Sequence, residues 1–191
     1  MLITIIGIDG SGKTTQVDLL KKNKIYSVNS LKSLSDNRNI VEKIHFDNYE
    51  IYKQTLSLAM AMDLLKLYYR EVEREQDYTL TVWDRYKYCI QAYFSSENIS
   101  YEKTNILLEE LKDPDLIIWL KIDPELAERR INKRGIAKPL ENKEFLRKVQ
   151  EHYALVLQGI DNVYAIDCNS KSEYEIHVEI MDLIRRALQK M

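Results

Sequence analysis

The sequence predicts an α/β fold in which a parallel β-sheet is flanked by helices. Short, almost continuously apolar runs alternate along the chain with segments of helical periodicity. Such runs are typical of strands covered on both faces, and their alternation with helices is typical of parallel sheets. The chain has 191 residues, of which 45% are hydrophobic, enough for one continuous core. We therefore expect a single domain over residues 1–191.

Five segments have the composition of buried strands. They are residues 2–6, 25–28, 79–83, 116–122 and 163–166. Each is short, apolar and followed by a segment with polar or helical character. The sequence therefore predicts a five-stranded parallel sheet.

Helical patterns fill most of the intervals between these strands. The clearest helix is expected over 124–134, because Asp123 can cap its start, Pro124 suits the first helical position and Gly135 follows its end. A longer helix is expected over 49–75, which contains neither glycine nor proline. Apolar stripes predict two more helices, in 145–156 and 176–188. Residues 29–47 show little periodicity and predict a loop with a short helix that contacts ligand.

Charge and cysteine content exclude several classes of protein. The formal net charge is −2, which argues against duplex nucleic acid as the main partner. Cys89 and Cys168 show neither a disulfide framework nor a zinc spacing, so a reducing compartment is expected. The apolar run 2–8 is too short for a membrane span or a signal peptide. The sequence thus predicts a cytoplasmic protein without a membrane partner.

A phosphate-binding motif follows the first predicted strand. Residues 7–14, GIDGSGKT, match G-x-x-x-x-G-K-[ST] and lie between a strand and a helix that begins near Lys13. Glycines let such a loop turn its backbone N–H groups toward phosphates, while the helix N-terminus adds positive potential. Lys13 would bridge the β- and γ-phosphates of ATP, and Thr14 would offer its hydroxyl to Mg²⁺. The predicted cofactor-binding residues are Gly7, Asp9, Gly10, Ser11, Gly12, Lys13, Thr14 and Thr15.

This P-loop, together with the alternating elements, predicts the three-layer P-loop NTPase fold. A second acidic position, Asp84-Arg85, follows the strand at 79–83 and so lies at the same edge of the sheet. There Asp84 could orient a Mg²⁺-bound water and Arg85 could grip a phosphate with its planar fork. Alternatively, the two residues form a surface pair that ends a strand. Asp9 inside the loop needs a partner, either Arg85 or a sugar hydroxyl, unless it faces solvent.

A basic segment at about 129–141 is a candidate lid. Arg130 and Arg134 are spaced i, i+4 at the end of the predicted helix 124–134, and Lys138 follows. Arginines on a mobile segment can neutralise the charge of a transferring phosphoryl group and exclude water. The alternative is that these cations only compensate the helix dipole. The predicted catalytic residues are Lys13, Asp84, Arg85, Arg130 and Arg134.

The order of these motifs resembles the thymidylate kinase family. The matching segments are GIDGSGKTTQ, WDRY with Ala92-Tyr93 behind it, DPDLIIWLKIDPELAERRINKRG and FLRKVQEHY. They cover the first twenty residues and most of 83–153. The resemblance implies a nucleoside monophosphate kinase fold, ATP and Mg²⁺ as donor, a deoxynucleoside monophosphate as acceptor and a homodimer. It also implies that Asp9 lies near the acceptor sugar.

The resemblance is weaker on the acceptor side. Family members carry a segment like TREPGG after the second strand, whereas this chain has residues 26–32, where Lys32 could substitute for the arginine. Met60 stands where the family has an aromatic residue that stacks on thymine. Leu64 replaces an arginine that usually holds the acceptor phosphate. The predicted substrate-binding residues are Asp9, Lys32, Met60, Leu64, Arg85 and Tyr93.

Three functional hypotheses remain open at the level of sequence. The first is an ATP-dependent kinase of dTMP or a related nucleoside monophosphate. The second is a kinase of another small metabolite or of a modified nucleotide. The third is a nucleotide-binding regulatory protein without catalysis, which the leucine at position 64 favours, because a pocket that loses a charged partner should lose its original ligand.

Overall fold

In the part of the chain that the structure describes, five strands form one sheet with helices around it. The computed structural model describes residues 1–22, 27–30, 36–72, 80–135 and 141–190. The strands are β1 (Leu2–Ile6), β2 (Ser27–Ser30), β3 (Thr81–Asp84), β4 (Leu116–Lys121) and β5 (Val163–Asp167). The helices are α1 (Lys13–Lys21), α2 (Asp36–Val41), α3 (Tyr49–Val72), α4 (Lys87–Ser96), α5 (Glu102–Glu109), α6 (Pro124–Asn132), α7 (Lys143–Val156) and α8 (Glu173–Leu188).

The sheet has strand order β2-β3-β1-β4-β5, and all its pairings are parallel. β1 lies at the centre between β3 and β4, which explains why all five of its residues are buried. Because parallel strands end at the same edge, the loop after β1 and the residues after β3 are brought together. The predicted α/β fold with a parallel sheet flanked by helices is confirmed, and this edge carries the candidate site.

Several predicted boundaries are wrong by a few residues. β3 contains Asp84, which was expected just beyond the strand, and β2 extends to Ser30 instead of ending at residue 28. α6 ends at Asn132, two residues early, although Asp123 caps it as predicted by accepting from the N–H groups of Glu125 and Leu126 at 2.9 and 3.1 Å. Residues 25–26, 73–75 and 79, which complete other predicted elements, lie outside the described part of the chain.

Two of the described helices, α4 and α5, were not predicted from the sequence. In α4, six of ten residues are buried, among them Tyr88, Ile90 and Phe94. A helix covered on several sides carries no single apolar stripe, so its periodicity is weak. α5 has only eight residues, too few for a clear pattern.

The predicted short helix between the second strand and α3 is α2, and a buried carboxylate holds its start. Asp63 on α3 is only 1% exposed. It accepts hydrogen bonds from the backbone N–H groups of Asn37 and Arg38, at 3.1 and 3.0 Å, and from Asn37 Nδ2 at 2.8 Å. These bonds satisfy two N–H groups that the helix itself leaves free. Asp63 therefore fixes α2 against α3.

Candidate active site

The loop at residues 7–12 turns tightly between β1 and α1. Gly10 and Gly12 have φ angles of +82° and +94°, in the region that glycine adopts most readily. At Gly10, a β-carbon would also lie 2.6 Å from the carbonyl oxygen of Ala127 on α6. Glycine at position 10 thus lets the loop pack closely against α6. The free backbone N–H groups in the first turn of α1 face the space that the loop encloses, where they can bind an anion.

Lys13 is the first residue of α1 and is only 4% exposed. Its Nζ donates to the carbonyl oxygen of Ile8 at 2.7 Å and lies 3.4 Å from Ser11 Oγ. Burial and the nearby positive charge of Arg85 lower the pKa of Lys13 to about 8, although Asp9 acts in the opposite direction. The loop thus holds a lysine whose charge is poorly compensated by protein groups.

Asp9 is the point at which the loop meets α4 and the end of β3. Arg85 Nη2 forms an ion pair with Asp9 Oδ1. The Tyr93 hydroxyl donates to Asp9 Oδ2 at 2.9 Å and accepts from the Asp9 N–H at 3.2 Å. Burial alone would raise the pKa of Asp9, but the charges of Arg85 and Lys13 and the bond from Tyr93 hold it well below its usual range. Asp9 is therefore an anion shared between two cations.

Arg85 is held in an unusual way. Its φ is +68°, a left-handed conformation that is uncommon outside glycine. Its side chain is 13% exposed and its guanidinium lies 5.4 Å from the centre of the Tyr93 ring. Arg85 Nε is buried and has no hydrogen-bond partner among the described residues. A strained backbone and an unused buried donor are typical of a functional position.

Two oxygen-bearing residues lie near the loop at the same sheet edge. Asp84, the last residue of β3, is 3% exposed, and the Thr14 side chain on α1 is exposed. Mg²⁺ is commonly held by one or two carboxylates together with phosphate oxygens and water. One carboxylate and one hydroxyl therefore fit a magnesium site that is completed by a bound nucleotide. The described residues contain no cluster of three or more metal-binding side chains.

A cavity of about 410 Å³ opens beside the loop. It is basic, because Arg130, Lys133, Arg134 and Lys171 line it beside the carboxylate of Glu173, although Lys171 is paired with Glu179 Oε2 at 2.5 Å. Arg130 is anchored through a 3.1 Å bond from Nη2 to the carbonyl oxygen of Cys168, whereas Arg134 is exposed. The other lining residues are Gly10, Ser11, Gly12, Thr15, Gln16, Ser172 and Ile176. The cavity joins the phosphate loop to the start of α8 and can accept an anionic ligand.

A buried tyrosine on α7 supports the loop from beneath. Tyr153 has no exposed surface, and its hydroxyl lies 3.0 Å from Cys89 Sγ and 3.4 Å from the carbonyl oxygen of Gly7. Its ring packs edge-on against Tyr93, with centroids 6.3 Å apart. Tyr93, which donates to Asp9, is thus itself held in place by a residue of α7.

The sequence pattern of one protein family, described as thymidylate kinase, matches residues 5–180. The chain belongs to the thymidylate kinase family. Two similar proteins are named probable thymidylate kinase. The protein from Pyrobaculum aerophilum is 30% identical, over 98% of this chain and 97% of its own length. The one from Methanocaldococcus jannaschii is 33% identical, over 97% and 96%.

The fold agrees with that assignment. A solved structure of thymidylate kinase from Candida albicans superimposes with a TM-score of 0.77 over 97% of this chain and 91% of that protein, at 19% identity. The family consists of nucleoside monophosphate kinases, so this member is a phosphotransferase. None of its described helices combines the length and apolar character that a membrane span needs.

The structure brings most of the predicted site residues of this thymidylate kinase family member together. Lys13, Asp84, Arg85 and Tyr93 lie around the loop, and Arg130 and Arg134 line the neighbouring cavity. Leu64 is the exception, because it has no exposed surface and packs within the core. Met60 is half-buried on the same helix. Lys32 and residues 136–140 of the predicted lid lie outside the described residues.

Several residues at the site were not predicted. Gln16, Lys171, Ser172, Glu173 and Ile176 line the cavity, and Tyr153 lies beneath the loop. The start of α8 could have been predicted from the sequence, because Ser172 and Glu175 match the S-x-x-E pattern of a capping box and form one in the structure. Tyr153 had no comparable local signal.

Proposed function

We propose that this protein transfers the γ-phosphoryl group of ATP to a nucleoside monophosphate, with dTMP as the first candidate acceptor. One observation carries the proposal: two buried cations, Lys13 and Arg85, share a single carboxylate, Asp9, at the phosphate loop. Within this group two cations face one anion, although the carboxylate of Asp84 also attracts Lys13, and Arg85 Nε has no hydrogen-bond partner among the described residues. Phosphate oxygens supply the missing negative charge and acceptors. The names of the similar proteins support dTMP as the acceptor.

On the donor side, we assign the triphosphate to the loop at residues 7–15 and the nucleoside to the cavity beside it. Lys13 would leave the Ile8 carbonyl to contact the β- and γ-phosphates. Arg130 and Arg134 would neutralise charge on the transferring group, consistent with their place in the cavity wall. Thr14 and Asp84 would hold Mg²⁺, which supplies charge neutralisation at the phosphate oxygens when bound.

On the acceptor side, we assign Asp9, Arg85 and Tyr93 to the monophosphate. Arg85 Nε is available to a phosphate oxygen, while Asp9 fixes the guanidinium and Tyr93 fixes Asp9. Met60 would contribute to the base pocket. Leu64 supports that region only by packing. Transfer would then proceed in line, by positioning of the two nucleotides and neutralisation of charge, without a covalent intermediate.

The proposal is tested by coupling ADP release to an optical signal across a panel of nucleoside monophosphates. We expect ADP release that depends on the acceptor and is fastest with dTMP or a closely related monophosphate. Turnover only with a different small metabolite would replace the acceptor assignment. ADP binding without turnover on any acceptor would show a nucleotide-binding protein without kinase activity and would contradict the proposal.

The lowered pKa of Lys13 gives a pH-dependent binding signature. In the free protein this pKa is about 8, and bound phosphates should raise it because an anion favours the charged form. ADP binding should therefore be strongest below this pKa and weaken as the pH rises above it. Titration calorimetry in buffers of different ionisation enthalpy should show clearly greater proton uptake on ADP binding at about pH 9 than at about pH 7. Equal uptake at both values would contradict the assignment of Lys13.

Two further expectations stay predictions. A homodimer is compatible with the exposed apolar side chains of Ile51, Met62 and Tyr69, which recur along one side of α3. A cytoplasmic location is compatible with the two unpaired cysteines, both buried.

A further inference from the structure

Gln16 joins the phosphate-loop helix α1 to the beginning of α8. Its side chain is almost completely buried, with 1% of the residue exposed. Gln16 Nε2 donates to the backbone carbonyl oxygen of Glu173 at 2.9 Å. Gln16 Oε1 lies 3.1 Å from His177 Nδ1, one turn further along α8. The nitrogen and the oxygen of the buried Gln16 amide therefore both contact residues of α8.

The chemistry of this contact fixes where the protons lie. An amide nitrogen that donates to a carbonyl leaves its oxygen as an acceptor, so His177 must carry its proton on Nδ1. Burial lowers the pKa of His177, which favours the neutral ring. The link is thus between neutral groups and adds no charge beside the basic cavity.

The elements that Gln16 joins are two walls of the cavity. Thr15 and Gln16 line it from α1, while Ser172, Glu173 and Ile176 line it from the start of α8. The start of α8 is itself fixed, because the Ser172 N–H donates to Glu175 Oε2 at 2.8 Å and the Glu175 N–H donates to Ser172 Oγ at 3.3 Å. With α8 ordered internally, the two hydrogen bonds of Gln16 tie the start of α8 to α1.

We propose that Gln16 is a positioning residue for the phosphate donor: its two hydrogen bonds hold the start of α8 at the distance that fits the donor nucleoside. This inference rests on the proposed function, which assigns that cavity to ATP. Gln16 acts through Glu173 and His177 and need not touch the nucleotide. It should therefore affect the donor, and leave the acceptor and the transfer step unchanged.

The test replaces Gln16 by methionine, which keeps the length of the side chain and removes the amide. We expect the KM for ATP to rise about tenfold, equivalent to about 1.4 kcal/mol, with the KM of the acceptor and kcat at saturating ATP changed less than twofold. Gln158→Met, at an exposed position two residues beyond the end of α7, is the matched control and should leave all three constants unchanged.

Substitutions of His177 give an independent test, because a general loss of stability would not produce the difference expected between the two variants. His177→Asn can place an amide nitrogen near the position of Nδ1 and should keep the ATP KM close to that of the wild type. His177→Ala removes the donor and should raise it severalfold. An asparagine variant as impaired as the alanine variant would overturn the inference. So would Gln16→Met with equal rises in both KM values, or with a lower melting temperature and an unchanged ATP KM.

Calorimetric titration with ADP separates this inference from the proposed function, because it needs no acceptor. Tighter binding of ADP to the wild type than to Gln16→Met supports the positioning role even if no tested monophosphate is phosphorylated. Equal affinities overturn it even if the wild type is an active kinase. Failure of the wild type to bind ADP or ATP overturns both the donor site and the role of Gln16.

Discussion

Lys13→Met is expected to lower kcat for phosphoryl transfer by about 10³-fold, the largest effect of any single substitution in this chain. Methionine matches the length of the lysine side chain and fills the same buried space, so the fold should persist. It removes the cation that we assign to the β- and γ-phosphates, where charge develops during transfer. The measurement is ADP release at saturating ATP and acceptor.

Lys21→Met is the matched control for this substitution. Lys21 ends the same helix, its side chain is 49% exposed, and its Nζ lies 3.4 Å from Asp18 Oδ1. An exposed pair of this kind contributes little, so kcat should stay within twofold of the wild type. If Lys13→Met kept more than a tenth of the wild-type kcat, the donor site assigned to the loop would be wrong.

Asp9→Asn should have the largest effect on stability. The substitution leaves the Arg85 side chain, which is only 13% exposed, without the carboxylate that forms its ion pair. Removing one partner of a largely buried pair costs about 3 kcal/mol, which for a chain of this length lowers the melting temperature by roughly 6–12 °C. Thermal unfolding followed by circular dichroism measures the change.

Combining Asp9→Asn with Arg85→Gln separates stability from catalysis. The double variant no longer buries the Arg85 guanidinium without its carboxylate, so it should recover much of the lost free energy of unfolding. It should not recover activity, because Arg85 is assigned to the acceptor phosphate, and kcat/KM for the acceptor should stay about 10²-fold or more below the wild type. Asp18→Asn, at an exposed pair, is the control and should change the stability by less than about 0.5 kcal/mol. Recovered activity in the double variant would contradict the acceptor assignment.

The parts of the site that sequence predicts are those whose residues are neighbours in the chain. The glycines, Lys13 and Thr14 form one continuous motif, and its chemistry requires those residues in that order. The pair Asp84-Arg85 could be placed beside this motif, because the motif follows one buried strand and the pair lies at the end of another. Parallel strands end at the same edge of a sheet. Asp9 was expected to need a partner, and one of the two partners considered, Arg85, is the one observed.

The parts of the site that the sequence did not predict depend on contacts between segments that are distant in the chain. Gln16 bonds to residues 157 and 161 positions away, and no local pattern records which partner a buried amide will find. Tyr93 followed only from the resemblance, because α4 is buried on several sides and has no clear stripe. Leu64 was assigned to the acceptor by counting positions, whereas packing gives it no surface to offer a ligand.

Transfer of the γ-phosphoryl group of ATP to a nucleoside monophosphate can be followed by incubating the protein with γ-³²P-labelled ATP, Mg²⁺ and dTMP, and by locating the label after separation of the products. We predict label in dTDP, formed in step with ADP and absent with Lys13→Met. Label that remains in ATP, or appears only as inorganic phosphate, for dTMP and for every other monophosphate of the panel would contradict the proposed kinase activity.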